Sequence, residues 1–71
     1  MIWIDEEALK AAMKRAGVDT FTALAEKAGI STKTLYNVLH GRSAPSLATA
    51  YRIKRTLQLK DSEFFEVFPE S

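Results

Sequence analysis

The sequence predicts an all-α domain of five helices, in which the second and third helices form a helix-turn-helix. Apolar side chains recur at helical spacing, as in the stripe formed by Leu9, Ala12, Met13 and Ala16. Capping residues precede the predicted helices, and glycines follow three of them. The third observation is a twenty-residue frame that begins at Phe21.

This frame has apolar or small residues wherever a helix-turn-helix needs them. The seven positions are Leu24, Ala25, Ala28, Gly29, Ile30, Leu35 and Val38. Ala25 is small enough to let two short helices touch at a steep angle, and Gly29 tolerates the positive φ of the turn. Because such a motif usually places its second helix in the major groove of DNA, the frame predicts DNA binding.

Length and composition indicate one small globular domain, residues 1–71, with the motif at about residues 21–40. The chain is 46% hydrophobic and 27% charged, and it has one His and no Cys. Disulfides and thiolate metal sites are therefore excluded, and a reducing compartment is consistent with the composition. With no Gly-rich phosphate loop and no paired carboxylates, we expect no enzyme, no cofactor and no metal site. The opening MIWIDEE predicts no signal peptide, and no apolar run is long enough for a membrane span.

Charge is distributed unevenly although the net charge is only +1. Residues 27–60 contain seven cations and no acid: Lys27, Lys33, Arg42, Arg52, Lys54, Arg55 and Lys60. All nine acids lie outside this basic block, and eight of them lie at the two ends of the chain: Asp5, Glu6, Glu7, Asp19, Asp61, Glu63, Glu66 and Glu70. A solvated charged face would explain such a block by itself. Its coincidence with the frame favours a polyanionic partner.

The first two helices follow from caps and spacing. We predict the first helix from about Glu6 to Ala16, capped by Asp5 and ended by Gly17. Glu6 and Glu7 suit the positive end of its dipole. The second helix is predicted over residues 21–28 after a Thr20 cap, and Gly29 ends it.

The third helix is predicted from Thr32 to His40, with Ser31 as its cap and Gly41 as its stop. A loop follows, because Pro45 biases the preceding residue away from helical backbone.

The fourth helix starts near Pro45 or Ser46 and ends at Leu57. We expect an inward face and an outward face, with Tyr51 at the margin. The inward residues are Leu47, Ala50, Ile53 and Leu57, and the outward ones are Thr49, Arg52 and Arg55. A short fifth helix starts near Asp61 or Ser62.

Both ends of the chain are rich in β-branched and aromatic residues, which favour extended structure. We expect residues 2–4 and 66–68 to pair as a small antiparallel two-stranded sheet packed on the helices or on a second subunit. We expect the large aromatic side chains near the ends to lie in the core, and the alternative is that they form a dimer surface. These side chains are Trp3, Phe64, Phe65 and Phe68.

Residues 20–65 resemble the Cro/phage-repressor type of helix-turn-helix protein, also called the Xre family. The matching pieces are LAEKAGIS, TLYNVLHGR, the G-R-x-x-P run at residues 41–45, and SLATAYRIKRTL. The resemblance implies a five-helix, lambda-repressor-like fold and a homodimer on a roughly palindromic double-stranded DNA site. It also implies a Cro-like transcriptional repressor of bacterial, phage or prophage origin, working in the cytoplasm at the nucleoid without a small-molecule ligand. The residues themselves are equally compatible with activation.

The resemblance also assigns roles to individual residues. Four positions in the third helix would face bases: Thr32, Lys33, Thr34 and Asn37. Lys33 could donate to guanine and Asn37 could pair with adenine. The positions nearer the phosphates are Ser31, Tyr36, His40, Arg42 and the loop at Ser43.

Two positions depart from the family. Where the family often has a phosphate-anchoring Gln, this chain has Phe21, so either Phe21 turns into the core or Thr20 or Thr22 takes over the anchor. After the fourth helix, where the family often has Gly, this chain has Gln58. A positive φ at Gln58 would carry a strain of about 1 kcal/mol.

A second hypothesis comes from a different functional class. The same fold can serve as a protein-interaction module, such as an antitoxin or an antirepressor, and the aromatic-rich C-terminus supports that alternative. Replacing Lys33 and Asn37 distinguishes the two, because only DNA binding depends on them.

Overall fold

Five helices account for most of residues 3–70, the part of the chain that the computed structural model describes. They are α1 (Glu6–Ala16), α2 (Phe21–Ala28), α3 (Thr32–Leu39), α4 (Leu47–Leu57) and α5 (Asp61–Val67). The predicted all-α fold class is confirmed. The predicted bounds agree except that α3 ends one residue earlier, at Leu39, and that α4 begins at Leu47, after its Ser46 cap. Helix α2 packs on α3 and α4, and α1 packs on α4 and α5.

Side-chain caps explain where four of the helices begin. The side chains of Asp5, Thr20, Ser31 and Ser46 each accept a hydrogen bond from the backbone N–H three residues later, at 3.0–3.1 Å. Each such cap contributes about 1 kcal/mol relative to Ala. At α5 the cap runs the other way along the chain. The side chain of Glu63, inside the helix, accepts from the backbone N–H of Lys60, three residues earlier, at 3.2 Å.

One helix ends on a non-glycine residue in the left-handed region. Gln58 follows α4 with φ 52°, where α1 and α2 are ended by Gly17 and Gly29 at φ 74° and 72°. The positive φ that the sequence raised as a question at Gln58 is therefore observed. A side chain at this φ costs about 1–2 kcal/mol, because its Cβ lies too close to the backbone.

We expect Gln58→Gly to raise the free energy of unfolding by about 0.5–1 kcal/mol. Glycine removes the strain but gives the unfolded chain more freedom, which offsets part of the gain. Urea unfolding followed by circular dichroism measures the change. Gly17→Ala is the reciprocal control, since an added Cβ meets nothing within 4 Å there and tests the positive φ alone. A stability loss for Gln58→Gly would contradict the strain argument.

The core is built from one face of every helix. Its most deeply buried large side chains are Leu9, Leu24, Leu35, Ile53, Val67 and Phe68. The seven frame positions behave as a helix-turn-helix requires, since the aliphatic ones are buried or half-buried and Gly29 makes the turn. This core fixes the angle between α2 and α3 and thereby the position of the outer face of α3.

The predicted faces of α4 are wrong at two positions. Leu47 is 63% exposed, whereas Thr49 is only 8% exposed. Thr49 lies four residues before Ile53, about 40° away around the helix, while Leu47 lies six residues before it, about 120° away. The buried Thr49 hydroxyl is satisfied by the cap, because the Ser46 hydroxyl donates to it at 3.0 Å.

The two ends of the described chain meet, but not as a sheet. The backbone N–H of Trp3 donates to Pro69 O at 3.2 Å, and that of Asp5 donates to Val67 O at 2.7 Å. Within residues 3–70 no strand of two or more residues forms and Glu70 alone makes a β-bridge, while Ile2 lies outside that range. Glu66 and Val67 are helical, so the predicted strand at 66–68 is wrong. Apolar residues at 64, 67 and 68 have helical spacing, and burying them on α1 outweighs the β-propensity of the segment.

Helices α4 and α5 are also held together by Lys54. Its Nζ lies 2.8 Å from Asp61 Oδ1 and within 6 Å of the ring centres of Tyr51 and Phe64. The hydrogen bond to Lys54 lowers the pKa of Asp61, and the same bond raises the pKa of Lys54. Because the pKa of Asp61 is lower in the folded state, the stabilisation is present above the pKa of an unfolded Asp. It is lost as the pH falls through the folded pKa.

Candidate nucleic-acid interface

Helix α3 presents one face to the core and one to solvent. Leu35 and Val38 are buried, whereas Lys33 and Thr34 are exposed and Asn37 is half-buried. Lys33 and Asn37 are four residues apart and therefore lie one turn apart on the same side of the helix. Thr32, the other predicted base contact, is half-buried at the first position of the helix.

The start of α3 is fixed by its cap and by the turn before it. Ser31 Oγ accepts from Thr34 N at 3.0 Å and donates to the Thr34 hydroxyl at 2.7 Å. Ile30 N donates to Ala25 O at 3.0 Å, which closes the turn. The hydroxyls of Ser31 and Thr34 thus hold each other at the tip of the helix, so both are positioned before any ligand arrives.

Gly29 supports this turn in two ways. Its φ of 72° is left-handed, and a Cβ placed on it would lie 3.0 Å from Nη1 of Arg52 on α4. The Arg52 guanidinium therefore lies across the turn between α2 and α3. A side chain at position 29 would push it away as well as straining the backbone.

The loop after α3 folds back on the helix. The backbone N–H groups of Arg42 and Ser43 donate to Asn37 O, at 2.9 and 3.4 Å, and Gly41 has φ 72°. Both side chains are exposed. Because the two amides are already used, contacts from this loop to a phosphate would come from the side chains of Arg42 and Ser43.

A row of three aromatic rings joins α2 to α3. The Phe21 ring packs edge-on against Tyr36 with a centroid distance of 6.0 Å, and Tyr36 stacks on His40 at 5.9 Å. Phe21 is half-buried and packs against the core, as the first of the two alternatives predicted, and a phosphate contact from Thr20 stays a prediction. His40 caps the C-terminus of α3 rather than extending it. This row of rings was not predicted from the sequence, although the i, i+4 spacing of Tyr36 and His40 indicates that those two side chains can meet.

The fold divides the basic block among separate places. Lys33 and Arg42 belong to α3 and its loop, and both are exposed. Lys27, Arg52 and Arg55 line a separate groove of about 250 Å³ between α2 and α4. Most cations of the block are therefore carried by α3 and its loop and by the groove between α2 and α4, while Lys54 pairs with Asp61.

The terminal aromatics also occupy different environments. Phe65 is 62% exposed and Trp3 is 38% exposed, whereas Phe64 is half-buried and contacts the rings of Tyr51 and Phe65. Phe68 is 1% exposed and stacks in the core against Phe64, at 5.2 Å between ring centres. Phe68 is buried within the single chain, so its ring has no exposed area left for contact with a second subunit.

Other types of site find no support in the described part of the chain. Residues 3–70 contain no group of three His, Cys, Asp or Glu side chains that could hold a metal ion. No helix among them is both long and apolar enough to cross a bilayer.

Comparisons with known proteins agree with this geometry. A family model described as helix-turn-helix matches residues 9–64, which run from α1 into α5 and include the whole of α2, α3 and α4. Neither the search of curated proteins nor the search of solved structures found a match.

Proposed function

The chain belongs to the Cro/C1 type of helix-turn-helix family, the Xre-like DNA-binding regulators, and we propose that it is a repressor that binds a palindromic operator as a homodimer. The observation that carries the proposal is the outer face of α3, where Lys33, Thr34 and Asn37 stand clear of a core that fixes the helix. A repressor of this kind would act in the cytoplasm, at the nucleoid of a bacterial or phage-infected cell.

In the proposed complex, the N-terminal half of α3 lies in the major groove. Thr32, Lys33, Thr34 and Asn37 would read the half-site, with Lys33 on guanine O6/N7 and Asn37 on adenine. Around them, six residues would contact phosphates and set the register: Thr20, Ser31, Tyr36, His40, Arg42 and Ser43. Repression would follow from occlusion of a promoter.

The dimensions of the domain support a dimer on DNA. Successive major grooves on one face of the duplex are about 34 Å apart. The Cα trace of one domain measures 28 × 27 × 20 Å, and side chains add several ångströms. Two copies placed side by side at that spacing would therefore touch. The exposed aromatic residues Trp3 and Phe65, the second in contact with the Phe64 ring, would supply apolar area for the contact.

The proposal is tested first by selecting bound duplexes from a random pool and then titrating the selected site with salt. We expect an inverted repeat, and an affinity that falls steeply with salt because bound cations release counterions from the DNA. Failure to enrich any sequence would contradict an operator-binding role. It would favour the second candidate, a protein-interaction module, for which the exposed rings of Tyr51 and Phe65 are the supporting observation.

The dimer proposal makes its own prediction. We expect Phe65→Ala to weaken self-association and operator binding while leaving the monomer folded, because this ring is mostly exposed in the single chain. Sedimentation equilibrium measures the association, and titration with a half-site and with the full operator separates monomer from dimer binding. An unchanged dimer would show that Phe65 lies outside the interface.

A further inference from the structure

The groove between α2 and α4 has no part in the proposed DNA complex. It has a volume of about 250 Å³ and is lined by Lys27 and Ala28 from α2 and by Arg52, Arg55 and Thr56 from α4. Three of these five residues are cations and none is an acid. Positive charge from two helices therefore converges on this groove.

The three cations have no acidic partner in the described part of the chain. No carboxylate of residues 3–70 lies within ion-pairing distance of Lys27, Arg52 or Arg55, whereas Arg15 and Lys54 each pair with an acid of α5. Arg52 and Arg55 are also three residues apart on one helix, where like charges repel each other. An anion bound in the groove would relieve this repulsion.

Helix dipoles explain two of the three cations but not the third. Lys27 lies in the last turn of α2 and Arg55 in the last turn of α4, where a positive charge is favourable. Arg52 lies in the middle of α4, beyond the range of that effect. Its guanidinium is held against the turn between α2 and α3, since a Cβ on Gly29 would be 3.0 Å from its Nη1. The missing side chain of Gly29 thus leaves room for a cation that the fold itself does not require.

The groove offers charged donors beside one small apolar side chain. The Thr56 hydroxyl donates to Arg52 O at 2.7 Å, so its hydrogen is already used. The donors left for a ligand are the ammonium group of Lys27 and two guanidinium groups, whose planar fork matches the two oxygens of a carboxylate. Ala28 is 6% exposed and gives the methylene groups of an acidic side chain an apolar contact.

A peptide fits this groove better than a nucleic acid does. No aromatic ring of the described residues lines the groove, so the bases of a single strand would have nothing to stack on. A duplex bound by α3 would meet α2 at Thr20, and Lys27 lies towards the other end of that helix, about 10 Å away. A carboxylate-rich segment matches the charge of the groove and needs neither stacking nor a second contact with the duplex.

We propose that this groove binds an acidic segment of a partner protein, with glutamate or aspartate side chains on Arg52, Arg55 and Lys27. The partner would lie beside the turn between α2 and α3, against which the Arg52 guanidinium is held. The inference does not depend on DNA binding, because none of these three residues belongs to the proposed DNA contacts.

The experiment measures the binding of a fluorescein-labelled oligoglutamate peptide by fluorescence anisotropy at low salt. It compares the wild type with Arg52→Gln combined with Arg55→Gln. The matched control is Lys10→Gln combined with Lys14→Gln, which also removes two exposed cations from one helix, but outside this groove. Circular dichroism checks that both variants are folded, and NMR chemical-shift changes of the backbone amides locate the bound peptide.

We expect the arginine variant to bind oligoglutamate about five- to thirtyfold more weakly than the wild type, as fits the loss of two exposed charge-assisted contacts. The α1 control should bind within about twofold of the wild type. The amide shifts should centre on Ala28, Gly29 and Thr56. Arg52→Lys combined with Arg55→Lys should bind with intermediate affinity, because lysine keeps the charge but loses the planar fork.

Three outcomes would overturn the inference. Equal losses in the arginine variant and the α1 control would indicate a general charge effect. Amide shifts confined to α3 would place the peptide on the proposed DNA interface. The third outcome is unchanged oligoglutamate binding in the arginine variant, together with a fall of about 1.8 in the slope of log operator affinity against log salt. That result would assign the groove to DNA phosphates.

Discussion

Replacing Phe68 with Ala is expected to remove about 3–5 kcal/mol from the free energy of unfolding. The ring is 1% exposed, stacks against Phe64 and belongs to the core that joins α5 to the rest of the domain. A 71-residue domain has a total stability of only about 4–10 kcal/mol. The variant should therefore be partly or wholly unfolded at 37 °C. Urea denaturation followed by circular dichroism measures the loss.

Phe65→Ala is the matched control, since it removes the same kind of ring three residues earlier, within α5, at a 62% exposed position. At dilutions where any dimer has dissociated, we expect it to cost less than about 1 kcal/mol, because little area leaves contact with the core. Similar losses in the two variants would contradict the core assignment of Phe68. A loss in Phe65→Ala that appears only at high protein concentration would support its place in the dimer surface.

These two neighbouring aromatics show where sequence reasoning succeeds and where it stops. Caps and glycines are local signals, so Asp5, Thr20 and Ser31 predicted the helix starts correctly. Whether an aromatic near the chain end faces the core depends on the packing of α5 on α1, which no local signal contains. The same segment also has strand-like composition, and its helical periodicity was the stronger physical constraint.

The candidate site follows a similar division. The outward positions of Lys33 and Asn37 could be predicted, because a motif of fixed length places them one turn apart on the outer face of α3. Their contacts with bases stay a prediction. The tertiary surroundings of this face could not be predicted, because only the folded chain brings α1 beside Thr20 and Tyr36.

The largest effect on binding is expected from Lys33→Ala combined with Asn37→Ala. A good bidentate contact to a base is worth about 1–3 kcal/mol of discrimination. Losing both should weaken binding to the selected operator by at least about thirtyfold. Non-specific binding should persist, because it depends mainly on phosphate contacts that the variant keeps. Anisotropy titrations with the operator and with a scrambled duplex give both quantities.

The fold of this variant should not suffer. Both positions lie on the outer side of α3, and Ala is a better helix former than Asn. Arg15→Ala with Ser62→Ala is the matched control, because it also removes one cation and one small polar side chain, but from outside the proposed interface. If the variant and the control bind the operator equally well, α3 does not read the bases. If the variant no longer binds DNA but still binds a protein partner, the fold serves both functions through different surfaces. The exposed rings of Tyr51 and Phe65 would then mark the surface that binds the protein.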